Sequence, residues 1–142
     1  MFTENKIPIP DNHKRSLSVL SRHIENGIDD VENLLAGDLN KKLTEKIHKN
    51  IGNETRGNIL ELVSELRKKN EKMFNELQLD PLSSFEDRIV RGKIGHIWTI
   101  LCDSTAEALK GYGKLTARQA ELLNSHVKSL LETVDKLQSL IN

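Results

Sequence analysis

The chain has 142 residues, enough to bury a real core with no disulfide or structural metal, and one ordinary domain is the expected size class. Lys plus Arg and Asp plus Glu stand at 21 each, so no global field draws the chain to nucleic acid or anionic lipid. Aromatic residues at 4% and charged residues at 30% disfavour a β-sandwich and suit packed helices with solvated outer faces.

Residues 1–10 end in Ile7-Pro8-Ile9-Pro10, where alternate prolines remove backbone donors and hold the chain extended; they read as an N-terminal arm. The start lacks the basic and apolar regions of a signal peptide, and no apolar run is long enough to span a bilayer. The expectation is a soluble, cytoplasmic protein with no membrane partner. After Asp11 and Asn12, either of which can cap a helix, Leu17, Leu20, Ile24, Ile28, Val31 and Leu35 recur on one face and predict a helix over 12–36. Gly37 suits its end. Leu39, Leu43, Ile47 and Ile51 fall four apart among lysines and predict a short extra helix over 39–51.

Past Gly52, the positions Ile59, Leu62, Val63, Leu66, Met73, Phe74 and Leu77 predict a helix over 54–79, stopped by Asp80-Pro81. Ser83 or Ser84 can cap the next, over 84–110, with Glu86 or Asp87 favourable to its dipole. This helix has two seams. Val90, Ile94, Ile97, Leu101 and Ala108 form the apolar one; Gly92, Gly95, Thr99, Cys102 and Ala106 form one of small residues, 3, 4, 3 and 4 apart. Cys102, the sole cysteine, reads as a small buried hydrophobe. Gly111-Tyr112-Gly113 ends the helix, and Thr116 with Gln119 forms a capping box before a helix over 117–141. Four long helices with short connections predict an all-α, antiparallel four-helix bundle, a single domain over 11–142. The two seams predict association, with Gly92, Gly95, Trp98, Thr99, Cys102 and Ala106 as interface candidates and a homodimer, with another protein also able to bind, as the outcome.

The candidates for chemistry are few. Of the five histidines, His13 and His126 fall inside apolar arcs as core or interface residues, His48 lies among lysines, and His23 and His96 lie at the edges of apolar faces. In a bundle His23, His96 and His126 come to similar heights, but the carboxylates of a metal site are missing, and Glu45 to His48 is a single Glu-x-x-His. No metal or cofactor is expected.

His23 followed by Gly27 resembles the helix of histidine-containing phosphotransfer domains, with Asn26 where that family has a lysine; the resemblance implies a signalling module phosphorylated on His23. Arg91-Gly92-Lys93-Ile94-Gly95-His96 is similar to the Arg-x4-His motif of HEPN-type ribonucleases, small all-helical dimers. That resemblance implies a ribonuclease or an inactive relative of one, with RNA as substrate, Arg91 steadying the phosphate and His96 moving the proton, although Gly92 stands where a polar residue is usual. Residues five apart fall about 140° apart on a regular helix, so convergence of the pair needs a bend or a second subunit. The lysine-rich stretches at Lys41–Lys49 and Arg67–Lys72 have no interleaved aromatics and read as solvated faces. The leading expectation is therefore a non-enzymatic helical protein that works by association.

Overall fold

The computed structural model describes residues 9–37 and 42–142. Among them the chain is all-α, with four long helices: α1, Asp11–Ala36; α2, Asn53–Glu76; α3, Glu86–Cys102; and α4, Ala117–Ile141. A 3-10 turn, Lys110–Tyr112, precedes α4, and no strand is present among the described residues. The chain divides into two compact units, Met1–Leu82 and Ser83–Asn142, holding α1 with α2 and α3 with α4.

In the first unit a ladder of side-chain bonds shows that α1 and α2 run antiparallel. Ser18 Oγ donates to the Asp80 carbonyl at 2.9 Å, and Ser21 Oγ donates to Asn70 Oδ1 at 2.9 Å. Farther along, the Arg67 guanidinium sits between Asp29, at 3.0 Å, and Glu32. These two carboxylates, Asp29 first, raise the arginine pKa above its ordinary value, so its charge is constant at every working pH. At the far end Arg56 Nη1 donates to the Leu35 carbonyl at 3.0 Å. The last turn of α1 carries no basic residue of its own, so Arg56 supplies from α2 the donor that a helix C-terminus leaves wanting.

Gly37 closes α1 with extended backbone, φ −101°, so no left-handed residue is called for there. Space explains the glycine: a Cβ at that position would lie 2.5 Å from the Asn33 carbonyl oxygen, which accepts the Gly37 N–H at 3.0 Å. The predicted extra helix is not formed over the described residues 42–51, which show bends and irregular backbone, with Leu43 fully exposed; residues 39–41 lie outside the described residues. Four-apart spacing gives a stretch a face without supplying the surface that would bury it, and a helix this short draws most of its stability from packing.

α2 ends earlier than Asp80-Pro81 requires. Gln78 takes a left-handed conformation, φ 53°, the Leu79 N–H reaches back to the Phe74 carbonyl at 3.0 Å, and the Gln78 N–H to the Asn75 carbonyl at 3.2 Å. This is the paired hydrogen bonding of a Schellman turn with glutamine in the place that favours glycine, and buried Leu79 anchors it. Since a side chain costs roughly 1 kcal/mol in that backbone region, Gln78→Gly is expected to raise stability by about 0.5 to 1 kcal/mol in urea unfolding. A neutral or destabilising result would mean that the glutamine side chain holds the turn.

In the second unit α3 and α4 also run antiparallel: Arg91 Nη2 donates to the Ile141 carbonyl at 2.8 Å, and the Ala106 N–H donates to Asn124 Oδ1 at 2.9 Å. Ile94, Val127 and Val134 are buried. α3 stops at Cys102 rather than running to 110, because Asp103-Ser104-Thr105 offers the backbone other bonds. Ser104 Oγ donates to the Ile100 carbonyl at 2.7 Å, and Thr105 Oγ1 accepts from the Ala108 N–H at 3.2 Å, opening a new turn. At the front of α3 neither Ser83 nor Ser84 is the cap. Phe85 holds that place without a side-chain cap bond, the Arg88 guanidinium lies 5.6 Å above its ring, and Glu86 and Asp87 fill the first turn. Likewise Pro10, with no side-chain bond, precedes α1. The Thr116–Gln119 capping box forms as the sequence indicates, with reciprocal bonds of 2.9 and 3.1 Å, and α4 spans 117–141.

Candidate functional site

Two features stand out, one in each unit. The first is a cleft of about 430 Å³ beside the start of α1 and the end of α2. Its floor is the buried polar group of Ser18, Ser21 and Asn70, and Phe74, Pro81 and Leu82 wall it. The floor is internally satisfied: Asn70 Nδ2 returns a bond to the Ser21 carbonyl at 3.2 Å while its Oδ1 accepts from Ser21 Oγ. Arg22, Glu25 and Glu71 stand at the rim, a mixed set of charges with no convergent chemistry.

The second is an apolar face on the α3/α4 pair. On α3, Ile94 and Leu101 point toward α4; at about 100° per residue, Ile89, Val90, Ile97 and Ile100 fall on an arc centred about 90° to one side, and all four are exposed. On α4, buried Val127 and Val134 mark the contact direction, and Leu122, Leu130, Leu137 and Leu140 fall about 100° to the side, again exposed, Leu140 at 81%. Both arcs lag the contact direction in the sense of the helix numbering. For two right-handed helices running antiparallel, equal lags point to the same side, so the two arcs form one continuous face. His126 and Thr133 complete the α4 stripe, giving 122, 126, 130, 133, 137 and 140, which keeps heptad-like spacing over five turns. Monomeric surfaces seldom leave so many large aliphatic residues contiguous and uncovered. On the helices of the first unit fewer large residues are left open, Leu20 and Leu34 on α1 with Leu62 and Leu66 on α2.

The residues singled out in the sequence are dispersed. Arg91 binds the Ile141 carbonyl and pairs with Asp87 at 3.5 Å, while His96 is exposed. α3 is one uninterrupted helix through both, so the two side chains leave it roughly 140° apart and do not meet within the chain. His23 is exposed on α1, and a Cβ built at Gly27 meets nothing within 4 Å. His13, His48 and His126 are exposed as well, so His13 and His126 are not core residues of the chain. No group of three metal-ligating side chains gathers among the described residues.

Of the small-residue seam, Gly92, Thr99 and Cys102 are exposed, and Gly95 and Ala106 are half-buried. A Cβ at Gly92 or Gly95 would meet nothing within 4 Å, so no described part of the chain uses these glycines for close approach. Cys102 is a free, exposed cysteine and not the buried hydrophobe its position suggested, because the seam points away from α4. Trp98 lies at the edge of the α4 contact and is partly open.

Sequence reasoning missed Ser18, Ser21 and Asn70. The one available signal was that Ser18 and Ser21 stand 3 apart and fall in line with Ile28 and Leu35 of the predicted stripe, a further 7 and 7 along the helix. No described helix is long and apolar enough to cross a membrane. Compared with protein-family models, with characterised proteins and with solved structures, the chain matches none.

Proposed function

We propose that this is a non-enzymatic helical protein that acts by protein–protein association and associates with itself. The observation that carries the reading is the continuous apolar face of α3 and α4, eight large aliphatic side chains that the packing of these two helices on each other leaves exposed. The absence of converging polar groups at Arg91 and His96, or beside His23, gives no competing site an equal claim. We take the protein as cytoplasmic; its lone, exposed thiol, Cys102, suits a reducing compartment.

Sedimentation velocity of the full chain tests this. The expected result is a mass above that of one chain that grows with concentration, and a single-chain mass throughout the micromolar range would sink the reading. RNA incubated with the wild type, Arg91→Ala and His96→Ala should be left equally intact by all three. Cleavage lost on either substitution would instead establish the ribonuclease reading.

A further inference from the structure

The structure assigns an occupant to the α3/α4 face: we infer that it is covered by the same face of a second copy, so that two α3/α4 hairpins form a four-helix assembly across a two-fold axis. This rests on the association reading and names its partner and surface. Three observations carry it.

The first is area. The eight aliphatic residues leave between 39% and 81% of their surface open, on the order of 700 Å² per copy, against about 800 Å² per partner in a standard stable interface. A second copy of the face matches that extent without help from any other surface.

The second is charge. The α4 stripe carries no formal charge, and on the α3 arc Lys93 is balanced by Glu86 one heptad before it. A face with no net charge and no basic cluster gives an anionic polymer or an anionic lipid surface little to bind, whereas it is compatible with itself.

The third is pattern. Leu130, Thr133, Leu137 and Leu140 alternate steps of 3 and 4, the spacing that places side chains in the holes of a facing helix. The contact with α3 uses a different stripe, Val127 and Val134, so α4 carries a second stripe that α3 does not cover.

The test compares sedimentation equilibrium of the full-length wild type with Leu130→Glu and Ile100→Glu, one on each helix of the face, and with Leu62→Glu on the α1/α2 pair. All three positions are exposed in one chain, and circular dichroism checks that helix content is kept. A carboxylate placed in an apolar interface should weaken dimerisation at least about 100-fold, so both face variants are expected to be monomers at concentrations where the wild type and Leu62→Glu are dimers. Because two face variants on different helices are used, the misfolding of one leaves the other decisive. If Leu62→Glu dissociates the dimer, or if either well-folded face variant stays dimeric, the face is wrongly assigned while the association reading stands. A wild type that is monomeric throughout overturns both.

Discussion

Ile28→Ala is expected to lower the stability of the protein by about 2 to 4 kcal/mol in urea unfolding, the range for truncating a buried aliphatic side chain to alanine. Ile28 has 2% of its surface exposed and lies on the stripe of α1 that meets α2, between the Ser21–Asn70 bonds and the Arg56–Leu35 bond. Truncation removes its buried methyl groups and leaves a cavity that the flanking hydrogen-bonded side chains resist filling. Leu43→Ala is the matched comparison. As a face residue of a helix it would cost a similar amount, but in the structure it is fully exposed in an irregular segment, and a change within about 0.5 kcal/mol is expected. Equal losses at the two positions would show that the 42–51 segment packs in solution.

The second large effect falls on Asn70. Asn70→Ala removes the acceptor of the buried Ser21 hydroxyl and the second donor to the Ser21 carbonyl, which lies within the helical ladder of α1, and a buried hydroxyl left unpaired costs about 1 to 3 kcal/mol. Asn70→Asp keeps the shape and is the more informative change. Its second oxygen would stand where Nδ2 now donates to the Ser21 carbonyl, at 3.2 Å, so the ionised form meets both burial and a repelling dipole. The carboxyl pKa is therefore raised in the folded state. A group whose proton is held more tightly in the folded than in the unfolded chain favours folding at low pH, and that advantage is lost as pH rises above the unfolded carboxyl value of about 3.9. The Asn70→Asp deficit should accordingly be larger at neutral pH than in mild acid, while that of Asn70→Ala should not change. Parallel pH profiles for the two variants would mean that the site is open to water and that the buried polar group is not the constraint described.

Serine and asparagine at the centre of a helix pair also bear on how the first unit is specified. An all-aliphatic stripe would pack α1 against α2 in several registers, whereas Ser21 and Asn70 exchange two bonds and the Arg67 guanidinium meets two carboxylates in only one. Such contacts add modestly to stability and act chiefly through alignment, since the ion pairs are only partly screened from solvent. The open leucine faces are then what remains after the polar stripes have been satisfied within each pair.

What the sequence determined by itself is the set of helices. The all-α class and the existence of α1 to α4 follow from apolar spacing, and the bounds of α4 follow from the Thr116–Gln119 box, because these signals act within a turn or two of chain. Where a boundary depended on bonds between alternative local partners, the reading shifted: α2 stops in a left-handed Gln78, and α3 stops where Ser104 and Thr105 capture backbone groups. Only the tertiary structure decided which stripe of each helix meets its neighbour. α4 carries two stripes about 100° apart, and on α1 the contact stripe is turned by about 60° from the predicted one while sharing Ile28 and Leu35 with it; periodicity reports that a stripe exists without saying what lies opposite it. On α1 the contact went to Ser18, Ser21, Ile28 and Leu35, since Asn70 and Asp80 could bond the two serines. On α3 it went to Ile94, leaving Gly92 and Gly95 without a close neighbour among the described residues and the apolar arc of Ile89, Ile97 and Ile100 turned away from α4. Burial is a property of two surfaces, and a single helix encodes only one of them.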